Sequence, residues 1–130
     1  MCYDVVIIGA GCAGLTAGIY ARSKLMKTLI LDSGRVGGQL VSLYPEKGIH
    51  NYPGFETIQA GKLSDKLYAQ AESSECEIHE NEKVDEILNG DNELIVKTPQ
   101  GEQQLDCDTV ILSVGFCEDR GVFDAWENSA

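Results

Sequence analysis

The stretch YDVVIIGAGCAGLTAGIYARSKLMKTLILD, Tyr3 to Asp32, decides the fold. Tyr3 to Ile8 is a short run rich in valine and isoleucine, which is typical of a buried parallel strand. The residues that follow predict a turn over Gly9 to Gly14, a helix over Leu15 to Leu25 and a second buried strand over Thr28 to Leu31. A strand, a helix and a strand within about 30 residues predict a βαβ unit with a right-handed crossover.

The turn carries the pattern Gly9-x-Gly11-x-x-Gly14, and Asp32 ends the second strand. In a dinucleotide-binding fold the first glycine allows a tight turn, the second lets the backbone approach a pyrophosphate, and the third allows close packing of helix on strand. The helix N-terminus offers N–H groups and a positive dipole to the phosphates. The acid is placed to accept hydrogen bonds from ribose hydroxyls and would repel a 2′-phosphate, which disfavours NADP. An ADP-containing dinucleotide is therefore predicted, and NAD and FAD both remain open.

The rest of the chain predicts how this unit is completed. A glycine-rich loop region covers Ser33 to Glu56, and helical periodicity resumes over Ile58 to Ser74. Glu75 to Asp106 predicts one strand and then an antiparallel three-stranded meander, because short apolar runs alternate there with turn residues. Thr109 to Val114 is an apolar strand that should return to the parallel sheet. We expect one α/β domain with a Rossmann-like central parallel sheet, helices and a three-stranded antiparallel β-meander packed across one layer.

The charge, the apolar runs and the cysteines of the chain limit which partners and which location we expect. The 130 residues include 21 acidic and 10 basic residues, for a net charge of −11, which argues against unassisted binding to nucleic acid or to an anionic membrane. No apolar run approaches the roughly 20 residues that span a bilayer, and the N-terminus lacks the features of a signal peptide, so we expect a cytoplasmic location. The five cysteines show no C-x-x-C pair and no metal-like spacing, so we expect free thiols and no metal.

The loop GGQLVSLYPEKGIHNYPGF, Gly37 to Phe55, resembles the flavin-side segment of the thioredoxin-reductase-like flavoproteins. Within it, LYPEK at Leu43 to Lys47 is similar to the ferredoxin–NADP reductases of that group, whereas GGQL and YPGF are shared with thioredoxin reductases. The resemblance runs from Tyr3 to about Gly115. It implies FAD as the cofactor, a Rossmann-like FAD-binding domain over residues 1–115, and a C-terminal tail without a separate domain over residues 116–130.

Carried over by position, the resemblance implies contacts along most of the cofactor. The glycine loop would hold the pyrophosphate, Asp32 the adenosine ribose, and the GGQL segment would pass beside the pyrophosphate and the flavin. Tyr44 would lie against the isoalloxazine or ribityl region, and Asn51 is a weaker candidate for a polar contact to the flavin. Val84 would meet adenine through its backbone, and Gly115 would return to the FAD. The implied residues are Gly9, Gly11, Cys12, Ala13, Gly14, Asp32, Ser33, Gly38, Gln39, Leu40, Tyr44, Asn51, Val84 and Gly115.

Ordinary structural roles compete with several of these assignments. Tyr44 could be a rim aromatic packed on Pro45, Val84 could be only a strand residue, and Gln39 could cap a turn. His50 has the chemistry of a proton relay, although a surface loop histidine is the more ordinary interpretation. No catalytic residue is predicted.

Other parts of the related enzymes have no counterpart in these 130 residues. The resemblance implies a second nucleotide-binding domain for NADPH and a Gly-Asp segment on the ribityl chain, and the sequence contains neither a second G-x-G-x-x-G nor a C-x-x-C. Because a hydride reaches a flavin only when the two rings are held together, we expect this chain alone not to be an efficient NADPH-dependent reductase.

Two classes of function follow. The first is the FAD-binding portion of an oxidoreductase, in which catalysis needs either a second chain that supplies the NADPH site or the electron acceptor, or the parts of the related enzymes that these residues do not include. The second is a non-catalytic flavin or ADP-ribose binder, such as a sensor, and a small NAD-binding module is a weaker alternative. Uncovered sheet edges and an uncovered flavin face would favour association, so we also expect a homodimer or higher oligomer.

Overall fold

Eight strands and three helices make up the part of the chain that the computed structural model describes, which is residues 2–89, 94–98 and 101–115. In chain order they are β1 (Cys2–Ile8), α1 (Cys12–Ser23), β2 (Thr28–Leu31), α2 (Gln39–Ser42), β3 (Gly48–Ile49), β4 (Ile58–Gln59), α3 (Ala60–Ser73), β5 (Glu77–His79), β6 (Glu86–Asn89), β7 (Leu94–Thr98) and β8 (Gly101–Leu112). The predicted βαβ unit is present, and β2 has the predicted bounds.

The main sheet has the strand order β5-β2-β1-β8-β7-β6. The first four strands in this order run parallel to one another, while β8, β7 and β6 are antiparallel neighbours. A separate two-stranded sheet pairs β3 with β4. The mixed sheet, with helices and an antiparallel meander, confirms the predicted α/β Rossmann-like class.

One strand differs from the prediction. The third strand of the meander and the last parallel strand, predicted as separate elements, form the single 12-residue strand β8. Its residues 101–107 pair with β7, and its residues 106–112 pair with β1. The first half of β8 is mostly polar and the second half is mostly apolar, so the sequence pattern changes although the backbone continues.

Within the parallel sheet, residues 5–8 of β1 and all of β2 are buried, whereas β5 is half-buried and residues 108–112 of β8 are exposed or half-buried. Along β1, Tyr3, Val6 and Ile8 face the meander, whereas Val5 and Ile7 face the helices. The meander side is completed by Leu29, Leu31, Val84, Ile87, Val96, Leu105 and Cys107, and the helix side by Ala10, Leu15, Ala21, Ile30, Ile58, Leu63, Leu67 and Ala71. The predicted packing of the meander across one layer is therefore present, and the two cores fix the carboxyl ends of β1 and β2 from both sides.

Two further predictions concern other parts of the chain. The loop region after β2 contains the short elements α2 and β3, which its glycines and prolines did not indicate. In the described ranges, no helix is long and apolar enough to cross a membrane. The predicted tail at residues 116–130 lies outside the described residues.

Candidate cofactor-binding site

The glycine loop joins the carboxyl end of β1 to α1, and its three glycines have different surroundings. Gly9 has a φ of +108°, and a Cβ there would overlap the carbonyl oxygen of Ser113. A Cβ at Gly14 would overlap the carbonyl oxygen of Gly9. A Cβ at Gly11 would have no heavy atom within 4 Å. The protein itself therefore requires glycine at positions 9 and 14, whereas the space at Gly11 is open.

The first turn of α1 is free to receive an anionic group. Gly11 is the N-cap, with no side-chain hydrogen bond, and no acid lies in the first turn. The first N–H groups of a helix have no acceptor within the helix, and the helix dipole places partial positive charge at the same end. The open space at Gly11 therefore adjoins an uncapped, electropositive helix end.

Asp32 fastens this loop to the segment after β2. One carboxylate oxygen accepts a hydrogen bond from the backbone N–H of Ala10 at 2.7 Å, and the other accepts one from Gly34 at 2.8 Å. The backbone N–H of Asp32 itself donates to the carbonyl of His79 at 3.0 Å. Each carboxylate oxygen has a further lone pair, so these bonds leave acceptors for a ribose. The ribose contact stays a prediction, and the bracing role is one that the sequence did not indicate.

Two cavities adjoin the glycine loop. The first, called the Asp32 cavity, has a volume of about 510 Å³ and is lined by Asp32, Ser33, Gly34, Arg35, Gly38, Val41 and Ser42. The second, called the Tyr44 cavity, has a volume of about 630 Å³ and is lined by Cys12, Leu40, Leu43, Tyr44, Lys47, Gly48, Ile49, His50, Asn51, Tyr52, Ala60 and Leu63. Both volumes are in the range of small-molecule sites.

The glycine loop links these cavities. Gly37 donates its backbone N–H to Ala10 at 2.8 Å, and a Cβ on Gly38 would lie 3.4 Å from the Cα of Gly11. Gly38 lines the Asp32 cavity, while Cys12, directly after Gly11, lines the Tyr44 cavity. An elongated ligand with one half in each cavity would therefore pass the open space at Gly11, as a dinucleotide requires of its pyrophosphate.

Side chains of one loop give the Tyr44 cavity its polar groups. The Nζ atom of Lys47 lies 5.6 Å from the ring centroid of Tyr44. His50 is exposed and its Nδ1 lies 3.0 Å from the Oγ1 of Thr57. The ring of Tyr44 is 64 % exposed. Tyr44 therefore has a ring contact with Lys47, while its flavin contact and its alternative packing on Pro45 stay predictions. His50 is both a surface residue and a cavity residue.

The remaining predicted contacts line neither cavity. Val84 is 2 % exposed, and its side chain packs in the meander-side core. Its predicted backbone contact to adenine stays a prediction. Ala13 is exposed in the first turn of α1, and Gly115 is exposed with a φ of +67°. Gln39 begins α2, and its side chain is outside the described part of the structure.

Ser113, whose SVG segment the resemblance places against the FAD, has a structural role that the sequence did not indicate. Its hydroxyl oxygen lies 3.0 Å from the carbonyl oxygens of both Ile8 and Gly9, which share its one proton, and its backbone N–H donates to the carbonyl of Ile8 at 2.8 Å. The end of β8 therefore holds the glycine turn from the side opposite Asp32. A polar residue directly after the apolar run TVIL was the available signal.

A polar network lies behind the Asp32 side of the loop, on β1 and β5. The buried Tyr3 hydroxyl donates to Glu77 at 2.7 Å, and His79 contacts Glu77 at 3.1 Å and Glu82 at 3.3 Å through its two ring nitrogens. Burial, and then the hydrogen bond to Glu77, raises the pKa of Tyr3 well above its usual value. His79, which its strand position predicts as a surface residue, is half-buried and joins this network.

A parallel sheet with a glycine turn after β1, an acid after β2 and a cavity on either side of the turn defines a dinucleotide-binding protein. Comparison with known families narrows the class. The sequence profile described as pyridine nucleotide-disulphide oxidoreductase matches residues 3–120, and the chain belongs to this family.

Individual relatives agree with this assignment. A ferredoxin–NADP reductase of Streptococcus sanguinis is 38 % identical over 114 residues, which are 87 % of this chain and 35 % of that protein. The 34.2 kDa protein in the rubredoxin operon of Clostridium pasteurianum is 41 % identical over 95 residues, which are 73 % of this chain and 30 % of that protein. The crystal structure of Lactococcus lactis thioredoxin reductase superposes with a TM-score of 0.78 at 34 % identity, covering 90 % of this chain and 37 % of that one.

These matches confirm the resemblance that the GGQL and LYPEK segments indicate. The chain spans about a third of the length of its relatives and corresponds to the N-terminal FAD-binding region of the thioredoxin reductase and ferredoxin–NADP reductase group. FAD is the cofactor of that family.

Proposed function

We propose that these 130 residues are the FAD-binding module of an NAD(P)H-dependent reductase. The Asp32 cavity receives the ADP half, the Tyr44 cavity receives the isoalloxazine ring, and the pyrophosphate crosses at Gly11. One observation carries this assignment: a Cβ at Gly11 would meet no protein atom, whereas the glycines on either side are closed in by the protein's own backbone. A glycine that packing does not require, at an uncapped helix end, is suited to a ligand.

The chain's own contribution is binding and orientation, while the cofactor supplies the redox chemistry. The backbone N–H groups at the start of α1 bind the diphosphate, Asp32 binds the adenosine ribose, and the mostly apolar lining of the Tyr44 cavity excludes water from the ring. The nicotinamide site and the electron acceptor lie on further polypeptide or on a partner chain. The 35 % of the Streptococcus sanguinis relative that this chain covers supports that division.

Retention of FAD tests the module. Purified protein is mixed with FAD, passed through a desalting column and measured by its visible flavin absorbance. We expect the wild type to retain FAD and Gly11→Ala to lose at least tenfold in affinity, because the added methyl group occupies the path of the pyrophosphate. Gly11 has a φ of −76° that alanine adopts freely, so an unchanged melting temperature serves as the internal control.

Measuring steady NADPH oxidation distinguishes an FAD-binding module from a self-sufficient enzyme and from a non-catalytic binder. The proposal predicts that this chain retains FAD but does not oxidise NADPH steadily. It also predicts that adding a polypeptide with the nicotinamide site restores the oxidation. Steady oxidation by the 130 residues alone contradicts it. Retention of NAD or ADP-ribose in place of FAD would instead support the binder or the small NAD-binding module.

We further propose that residues 1–115 form the FAD-binding domain, with residues 116–130 as a tail, and that the chain associates with itself over the ring side. Leu43, Tyr44 and Phe55 are 58 %, 64 % and 37 % exposed there, which supports an association that covers them. Light scattering tests the oligomer, and a monomer at micromolar concentration contradicts it. A truncation after Gly115 that no longer retains FAD contradicts the domain boundary.

We also propose a reducing, cytoplasmic location without nucleic acid or membrane partners. The thiols Cys2, Cys12 and Cys76 are unpaired, and the net charge of −11 disfavours polyanions. Fractionation of cells that express a tagged protein checks the location.

A further inference from the structure

Two basic side chains line the Tyr44 cavity. They are Lys47 and His50, and the other titratable side chains of the lining are Cys12, Tyr44 and Tyr52. Among the residues that the structure describes, no aspartate or glutamate lines this cavity. Lys47 therefore places a positive charge on the cavity wall of a chain whose net charge is −11.

The two basic side chains are held at the cavity in different ways. Lys47 lies over the ring of Tyr44, with 5.6 Å between its Nζ and the ring centroid. His50 follows β3, and its Nδ1 lies 3.0 Å from the hydroxyl of Thr57, just before β4. The pairing of Gly48 with Gln59 holds these two segments together. The imidazole is thus placed by a hydrogen bond across the small sheet, with Nε2 as its second proton-binding nitrogen.

We propose, building on the function proposed above, that Lys47 and His50 are positioning residues that favour the reduced over the oxidised flavin ring. Two electrons and one proton convert the neutral oxidised ring into a reduced ring with one negative charge, and a second proton neutralises it. Positive side chains on the cavity wall lower the free energy of the anionic form more than that of the neutral forms. NADPH would supply both electrons in the proposed reductase, and dithionite supplies them in the test below.

The two residues differ in their dependence on pH. Lysine keeps its charge across the physiological range, whereas histidine is the side chain type that changes charge between about pH 5 and 8. A protonated His50 adds its charge to that of Lys47 and raises the reduction potential of bound FAD, whereas beside a neutral His50 only Lys47 contributes. Linkage is reciprocal, so reduction of the ring must also increase the affinity of His50 for its proton.

The experiment measures the reduction potential of FAD bound to the full 130-residue chain, by dithionite titration against a reference dye, between about pH 5 and 8.5. At the acidic end we expect His50→Gln to weaken the binding of reduced FAD about tenfold relative to the binding of oxidised FAD. This change lowers the reduction potential of the bound cofactor by about 30 mV, because FAD reduction is a two-electron couple. The wild type and His50→Gln should converge at the alkaline end. His50→Lys should keep the higher reduction potential at every pH measured. Its plot of potential against pH should therefore run parallel to that of His50→Gln.

Matched substitutions test whether the effect belongs to the cavity. His79→Gln removes a histidine that lines neither cavity, and Lys66→Gln removes an exposed lysine of α3, whereas Lys47→Gln removes the cavity lysine. We expect only Lys47→Gln of these three to lower the potential, by a similar factor at every pH. Equal effects of His79→Gln and His50→Gln would show a general charge effect and overturn the assignment.

A second readout uses no potential. The ring proton of His50, followed by NMR as pH is changed, should titrate at a higher midpoint with reduced than with oxidised FAD, while that of His79 should not move. If FAD is bound but the His50 midpoints are identical in its two states, and the potential curves of the wild type and His50→Gln are parallel, the inference is wrong. The proposed FAD-binding function is not affected by that result. Failure of the chain to retain FAD in either state overturns both.

Discussion

The Asp32 cavity and the Tyr44 cavity share one glycine loop but are built from different groups. Around the Asp32 cavity, Asp32 is bonded to two backbone N–H groups, and the adjoining glycine loop is packed against backbone carbonyls at Gly9 and Gly14. The Tyr44 cavity is edged by exposed side chains of one loop, including Tyr44 and His50. Changes on the Asp32 side should therefore alter stability and binding together, whereas changes on the Tyr44 side should alter binding alone.

The largest effect should come from Gly14→Ala. Its Cβ overlaps the carbonyl oxygen of Gly9, and backbone on both sides cannot move without breaking the helix–strand contact. We expect a loss of stability on the order of 4 kcal/mol or more, which is exceptional for one methyl group. Denaturant unfolding measures it. Gly11→Ala is the matched control and should stay within about 1 kcal/mol of the wild type, and equal losses in both variants would remove the distinction between the two glycines.

Asp32→Asn should have the next largest effect. An amide offers one acceptor oxygen, so either Ala10 or Gly34 would face an NH₂ group in place of an acceptor. An unsatisfied, partly buried N–H costs about 1–3 kcal/mol, and FAD retention should weaken in the same variant. The matched control, Asp65→Asn on the exposed face of α3, should leave both unchanged. Weaker FAD binding at full stability would mean that the carboxylate serves the ligand alone.

Alkaline pH should weaken the Asp32 side through Tyr3. The pKa of its phenol is raised in the folded state, so the folded protein keeps a proton that the unfolded chain releases above about pH 10. Stability is constant below that pH and then falls by about 1.4 kcal/mol per pH unit. Urea unfolding between about pH 9 and 11 measures this slope.

Two phenylalanine variants isolate this contribution. Tyr3→Phe should remove the alkaline slope, while Tyr20→Phe, whose side chain is 71 % exposed, should keep it. A slope that persists in Tyr3→Phe would assign the alkaline loss to another group.

The smallest effect should be on the Tyr44 side. Asn51→Ala truncates an exposed side chain of the cavity wall, so the free energy of unfolding should change by less than about 0.5 kcal/mol. FAD affinity should fall about 2- to 12-fold, as expected for one lost hydrogen bond. Gln70→Ala, on exposed α3 surface, is the control for truncation of an amide. A fall in stability comparable to that of Asp32→Asn would show that the Tyr44 side is structural as well.

The same difference explains what the sequence could predict. The roles of Gly9 and Gly14 follow from backbone geometry, which the glycine spacing encodes directly. The position of Asp32 after β2 predicts a ribose contact. Its hydrogen bonds to Ala10 and Gly34 depend on how two loops pack together, which no local sequence pattern indicates. His50 has an exposed loop position in the sequence and a cavity position in the fold, because the pairing of β3 with β4 brings Thr57 to it.

The strand β8 limits when the molecule can fold. Its ladder to β1 pairs Cys2 with Asp106, so β1 cannot complete its pairing until the last described strand has been synthesised. Pairing over such a sequence separation is slow, because the closure entropy is lost before the contacts form. Until residue 112 has left the ribosome, one edge of β1 lacks its partner strand, and unpaired strand edges of this kind are the sites at which growing chains aggregate.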